Sequence, residues 1–85
     1  ITLPIKQRII KFKEQFKSLK KKYKAKDYFD WHYFLTESCN MGRMSFINQN
    51  SINLDKDSFT ILEFIEKTKN QYGSDVIKQL KDSYK

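Results

Sequence analysis

Residues 1–26, ITLPIKQRIIKFKEQFKSLKKKYKAK, combine a helical periodicity with almost all of the net charge of the chain. Apolar residues recur at spacings of four, three, four, three and four, which is the a/d pattern of an amphipathic helix. They are Ile5, Ile9, Phe12, Phe16, Leu19 and Tyr23. The pattern predicts a first helix over residues 3–24. Pro4 falls in its first turn, where a missing N–H costs nothing.

The same segment carries ten basic side chains and one acid, whereas the rest of the chain carries seven basic and nine acidic ones. The formal charge of +7 therefore belongs to one segment. On the predicted helix, five lysines form a second stripe: Lys6, Lys13, Lys17, Lys20 and Lys24. Like charges four residues apart destabilise a helix by about 0.2–0.5 kcal/mol per pair, and a merely solubilising face interleaves acids. The stripe predicts an anionic partner, bound by these lysines and by Lys21.

The next segment is rich in aromatic residues, with five between positions 28 and 34: Tyr28, Phe29, Trp31, Tyr33 and Phe34. It predicts a second helix over residues 26–38, with Asp27 as N-cap. A helix that is apolar on most sides belongs at the centre of a domain. The rings are interpreted as core. The alternative is that Tyr28 and Trp31 stay exposed, as stacking platforms for bases or as anchors for a protein partner.

The remaining residues predict shorter helices. Residues 38–42 break the second helix, and a third follows over roughly 43–50, burying Met44, Phe46 and Ile47. A polar loop is pinned to the core by Ile52 and Leu54. A capping box and a hydrophobic staple then begin a fourth helix, and a left-handed glycine followed by a capping serine separates it from a fifth. The residues are Thr60 with Glu63 for the box, Phe59 with Phe64 for the staple, Ile61, Leu62, Ile65 and Tyr72 for the buried face, and Gly73 and Ser74 for the turn.

These elements predict an all-α single domain over residues 1–85. It has four or five helices, with the long basic first helix packed on the aromatic second one. The chain begins with Ile1 rather than Met, which fits a domain excised from a longer protein. The sequence has one cysteine, no apolar run of about 18 residues and no secretory signal pattern. We therefore expect a cytoplasmic location.

No residue pattern is typical of a catalytic or metal site. His32 and Cys39 are seven residues apart, which is about 10 Å along a helix, and no zinc-ligand spacing exists. We therefore predict no enzymatic activity, no cofactor and no metal. Arg43 is the only arginine after Arg8, and its planar fork suits phosphate or carboxylate. We count it among the contact residues, with an internal salt bridge as the alternative.

Two functions remain. The first is a non-catalytic module that binds the phosphate backbone of nucleic acid without sequence specificity. The second is a protein–protein interaction or inhibitory domain of a phage or mobile-element regulator, which docks on an acidic partner surface or on a nucleic-acid-handling enzyme. The apolar seam of the first helix also allows a homodimer through Ile5, Ile9, Phe12, Phe16 and Leu19. Attachment to an anionic membrane fits less well, because the thin core needs this apolar face.

Overall fold

The computed structural model describes the backbone of residues 3–37 and 40–84, and the side chains of residues 3–37 and 44–84. Within these ranges the chain forms five helices and one short antiparallel ribbon. In chain order they are α1 (Ile5–Gln15), β1 (Tyr23–Lys24), α2 (Ala25–Thr36), α3 (Asn40–Gln49), β2 (Ser58–Phe59), α4 (Ile61–Thr68) and α5 (Ser74–Asp82). The predicted all-α class is confirmed.

Tyr28, on α2, occupies the centre of the core and is fully buried. Its ring lies nearly parallel to those of Phe16, Phe59 and Phe64, with centroids 4.8, 4.6 and 4.7 Å away. Its hydroxyl donates a hydrogen bond of 2.9 Å to the carbonyl of Phe59, so its one polar atom is satisfied. Burial raises the pKa of Tyr28 above its ordinary value. The aromatic helix is therefore central, and α1, α3 and α5 pack against it.

The first helix is much shorter than predicted: α1 ends at Gln15 and not at residue 24. Phe16 leaves the helical conformation (φ −111°, ψ 81°), and Tyr23 pairs with Phe59 in the ribbon instead of extending the helix. In the ribbon the half-buried Tyr23 ring packs edge-on against Phe16 and Tyr28, and an aromatic pair of this kind contributes about 0.5–1.5 kcal/mol. Extending the helix would instead place lysines four residues apart, at about 0.2–0.5 kcal/mol per pair. Both effects favour the early end.

Helix α2 begins one residue earlier than predicted, with Lys24 as its N-cap, and Asp27 lies in its first turn. At the other end, Glu37 adopts the left-handed conformation (φ 57°). The buried guanidinium of Arg8 donates hydrogen bonds to the carbonyls of Leu35 and Leu3. A cation at the last carbonyls of a helix interacts favourably with its dipole. Arg8 thus joins the start of α1 to the end of α2, a role that the sequence did not predict.

Helix α3 begins at Asn40, so Gly42 lies inside the helix and not in the predicted break. Phe46 and Ile47 are buried as predicted, but Met44 is 41% exposed. The loop that follows returns to the core through Ile52 and Leu54, which are half-buried against it as predicted.

The start of α4 matches its prediction. The hydroxyl of Thr60 accepts a hydrogen bond from the backbone N–H of Glu63, and the Glu63 carboxylate accepts one from the N–H of Thr60. The predicted staple residues are both buried, and each stacks on Tyr28. Leu62 and Tyr72 were predicted to be buried, but they are 51% and 63% exposed.

The turn between α4 and α5 depends on Gly73, which has the predicted left-handed conformation (φ 83°). Gly73 is itself the N-cap of α5, so the prediction that Ser74 caps this helix is wrong; Ser74 is its first residue. The backbone of Gly73 also approaches Thr36 so closely that a Cβ atom would overlap its side chain. The turn therefore requires glycine for both its conformation and its packing on α2.

Candidate anion-binding surface

Six lysines and no acid occupy residues 17–26, which we call the lysine segment. It comprises the loop after α1, strand β1 and the first two residues of α2. All six side chains are exposed: Lys17, Lys20, Lys21, Lys22, Lys24 and Lys26. This is the densest run of one charge sign in the chain.

The lysine segment is attached to the core through Tyr23 and Ser18. The Tyr23 ring packs edge-on against Phe16, with centroids 4.9 Å apart, and its hydroxyl accepts a hydrogen bond of 3.0 Å from the N–H of Ser18. The Ser18 hydroxyl in turn accepts hydrogen bonds from the N–H groups of Lys20 and Lys21. These contacts therefore hold the backbone of the loop in place, whereas the side chains of its lysines stay exposed to water.

The N-terminus of α2 lies within this segment. The N–H of Ala25 donates to the carbonyl of Asp57 at 2.9 Å, but the N-cap Lys24 has no side-chain capping bond. The N-terminal end of a helix carries a partial positive charge, so Lys24 and Lys26 add to it. Asp27 in the first turn offsets part of this repulsion. The positive potential of the lysines and that of the helix end are therefore superimposed.

Besides Asp27, the acids Asp57 and Glu63 lie near the lysine segment, and each of their carboxylates accepts a hydrogen bond from a backbone N–H. The carboxylate of Asp57 accepts a hydrogen bond of 2.7 Å from the N–H of Asn53. The N–H of Thr60 holds the pKa of Glu63 below its ordinary value, and the nearby ammonium groups of Lys22 and Lys67 lower it further. The Glu63 carboxylate thus offsets part of the positive potential around Lys22, at one side of the segment.

The structure brings together four of the predicted contact lysines, namely Lys17, Lys20, Lys21 and Lys24, but on a loop and ribbon rather than on a helical stripe. Lys6 is exposed near the opposite end of α1, about 14 Å along the axis from the last helical residue. The predicted continuous stripe is therefore wrong. The sequence interpretation omitted Lys22 and Lys26 from the site, although the uninterrupted run of residues 20–22 was a visible signal.

The ammonium group of Lys13 makes a contact within the domain, whereas the sequence predicted that it binds an anionic partner. This group donates a hydrogen bond of 2.8 Å to the carbonyl of Ser83, at the C-terminus of α5. It also lies 4.5 Å from the centre of the Tyr84 ring. A cation at this end of a helix is favourable, so Lys13 holds α5 against α1. The side chain of Arg43, also predicted as a contact, lies outside the described residues.

The predicted aromatic anchors belong to the core. Tyr28 is fully buried, so its prediction as a surface platform is wrong. Trp31 is half-buried and packs on Phe12, Phe16 and Phe34, with ring centroids 6.1, 6.0 and 4.8 Å away. These contacts favour the core interpretation for Trp31 as well.

The predicted homodimer seam is largely used inside the domain. Phe12 and Phe16 are fully buried and Ile9 is 7% exposed, so they offer no surface to a second copy. Ile5 is half-buried against the same core, and Leu19 lies on the loop of the lysine segment rather than in line with the others. The seam is therefore a packing face of α1.

An open groove of about 480 Å³ runs between α1 and the end of α5. Ile10 forms part of its floor and is 49% exposed, and Lys6 and Lys13 stand on the α1 side. Asp82 belongs to the α5 side. This groove is a second feature of the surface, apolar at its base and mixed in charge.

The described residues contain no group of three side chains suited to a metal ion. The sequence predicted no dyad of His32 with Cys39; His32 is buried on α2, and Cys39 lies outside the described part of the chain. None of the described helices is long and apolar enough to span a bilayer.

Comparisons with protein-family models, with curated proteins and with solved structures gave no match.

Proposed function

We propose that this domain is a non-catalytic module that binds the phosphate backbone of nucleic acid without sequence specificity, through the lysine segment. The observation that carries the proposal is the exposure of six lysines, without an acid, on a segment that Tyr23 fixes to the core. Lysine ammonium groups act as point charges, which suit phosphates at variable positions. The positive end of α2 favours negative charge at the same place.

Binding of this kind has a characteristic salt dependence. Each neutralised phosphate releases condensed counterions, so six contacts predict a slope of about −5 in log K against log salt. Between 50 and 200 mM salt the affinity should then fall by about 10³-fold. Lys6 is too far along α1 to belong to the same compact cluster, so we expect it to add little to this slope.

The test is fluorescence anisotropy with labelled nucleic acid at several salt concentrations. In one triple variant, Lys17, Lys20 and Lys21 become glutamine. In the matched control, Lys69, Lys78 and Lys81, which line a groove between α4 and α5, become glutamine. Each triple lowers the formal charge of +7 by three. The first should lose about half of the salt slope and the control little. Equal losses would mean that net charge, not the lysine segment, drives binding, and no binding by the unmodified domain at low salt would refute the proposal.

A second candidate is docking of an acidic protein segment in the groove between α1 and α5. Exposed Ile10 beside Lys6 favours it, because an apolar anchor next to a cation suits an acidic amphipathic partner. Titration with a leucine-containing acidic peptide, followed by ¹⁵N–¹H spectra, would then shift the amides of Ile10 and Gln79 at moderate salt. Ile10→Ser should abolish those shifts and leave nucleic-acid binding unchanged. Shifts confined to the lysine segment would contradict docking in the groove.

A further inference from the structure

The chemistry of the lysine segment narrows the kind of nucleic acid that suits it. All six of its cations are lysines. Arg8, the one arginine whose side chain the structure describes, is buried and donates to the carbonyls of Leu3 and Leu35. Arginine is the usual reader of guanine edges, through its two-pronged fork. The described part of the site therefore offers positive charge but no guanidinium group that could recognise a base.

The aromatic ring within the segment is also committed to other contacts. Tyr23 packs edge-on against Phe16 and Tyr28, with centroids 4.9 and 6.3 Å away. The ammonium of Lys21 lies 5.2 Å from its ring centre, and its hydroxyl accepts the N–H of Ser18. Proteins that prefer single strands stack successive bases on exposed rings. Tyr23 is not exposed for that purpose.

The tyrosines that are well exposed lie elsewhere among the described residues. Tyr33 is 53% exposed but sits eight residues into α2, about 12 Å along the axis from Ala25. Tyr72 is 63% exposed and belongs to the turn between α4 and α5. Neither ring belongs to the lysine segment, so neither provides a stacking platform among its cations.

We infer that the lysine segment recognises linear charge density and therefore prefers duplex to single-stranded nucleic acid; this rests on the proposed function. A B-form duplex carries one charge per about 1.7 Å, and its salt slope per contact is about −0.9, against about −0.7 for a single strand. With six contacts the two slopes are about −5.4 and −4.2, so affinities that are equal at 1 M salt differ about 15-fold at 0.1 M salt, in favour of the duplex. Base stacking would favour single strands over the duplex, but the lysine segment has no exposed ring on which bases could stack.

The experiment compares binding of the unmodified domain to four labelled probes. Three have a mixed sequence, namely a 20-bp DNA duplex, its isolated 20-nt strand and a 20-bp RNA duplex, and the fourth is a 20-nt poly(dT). Both duplexes should bind about 15-fold more tightly than the single strands at 0.1 M salt, with the steeper salt slope. The mixed strand and poly(dT) should bind alike, because base identity is not read. A single strand that binds as tightly as the duplexes, or a clear difference between the two strands, would overturn the inference and leave the proposed function intact.

A variant with Tyr33→Ser and Tyr72→Ser serves as the control for stacking. It should bind all four probes like the unmodified domain, and selective loss of single-strand binding would overturn the inference. Absence of binding to every probe at 20 mM salt would refute the proposed function itself, so the two failures are distinguishable.

Discussion

Replacing Lys24 by aspartate should make the fold more stable and weaken binding to nucleic acid at the same time. Lys24 is the N-cap of α2 and provides no capping bond. An aspartate there would accept a hydrogen bond from the backbone N–H of Lys26 or Asp27, which are the second and third residues of the helix. It would also replace a positive charge by a negative one at the positive end of the helix.

The magnitude follows from these two effects. A good N-cap contributes about 1 kcal/mol, and the change in charge adds about 0.3–1 kcal/mol. Lys24 also pairs with Ser58 in the ribbon, and aspartate is a poor strand residue, which removes up to about 0.5 kcal/mol. We expect a net gain of about 1 kcal/mol in the free energy of unfolding, or about 4–8 °C in Tm for a domain of this size. The loss of one phosphate contact should weaken binding about eightfold at 0.1 M salt.

Urea unfolding, followed by the fluorescence of Trp31 and by helical circular dichroism, measures the first effect, and anisotropy with a DNA duplex measures the second. Lys24→Ser is the matched control, since it supplies a capping oxygen without the negative charge. It should show a smaller gain in stability and a similar reduction in salt slope. If neither variant is more stable than the unmodified domain, the argument that α2 is poorly capped is wrong. If stability rises and the salt slope does not change, Lys24 is not part of the binding surface.

Three further predictions concern the fold that presents this surface. Gly73→Ala should lower the free energy of unfolding by about 2–4 kcal/mol, because φ is 83° and the new methyl group would lie 2.5 Å from Cγ2 of Thr36; a urea midpoint like that of the unmodified domain would contradict this. Arg8→Lys should lower the free energy of unfolding by about 1–2 kcal/mol, because one ammonium group cannot replace both guanidinium hydrogen bonds to the carbonyls of Leu3 and Leu35. Thermal unfolding measures this loss, and an unchanged Tm would refute the prediction. Burial raises the pKa of Tyr84 from 10.0 to about 12. Between about pH 10 and 12 only the unfolded chain releases this proton, so the contribution of Tyr84 to the free energy of unfolding is complete below pH 10 and is lost across that range. Urea midpoints across that range should fall less steeply in Tyr84→Phe, and an identical fall would show that Tyr84 does not contribute.

Local signals in the sequence predicted the elements that depend on near neighbours. Thr60 and Glu63 lie three residues apart and form the capping box that their spacing predicts. The left-handed Gly73 was also visible, because few other residues tolerate that conformation. The all-α class followed from the same kind of information, namely helical periodicity and the scarcity of turn residues.

The end of α1 could not be predicted in this way. The apolar period continues through Leu19 to Tyr23, so the pattern gives no sign of a break at Phe16. The break depends on the pairing of Tyr23 with Phe59, which is distant in sequence. The same limit applies to the candidate surface. The number of lysines was known from the sequence, but the bond from Lys13 to the carbonyl of Ser83 connects residues that are 70 positions apart.

The early end of α1 removes one electrostatic conflict and creates another. On a continuous helix the lysines would have repelled one another along one face, and the loop relieves that repulsion. The chain then begins α2 inside the same lysine cluster, with a lysine at the N-cap, where asparagine, aspartate, serine or threonine is favoured. A sequence selected for stability alone would place an acid there, and local conflicts of this kind concentrate at functional sites. An anionic ligand would relieve both the lysine repulsion and the unfavourable helix end. Because a ligand that binds only the folded domain stabilises it by mass action, the free energy of unfolding should rise by about 2.7 kcal/mol at a ligand concentration of 100 Kd. This electrostatic conflict at the start of α2 is a second reason why we propose a polyanion as the ligand of the lysine segment.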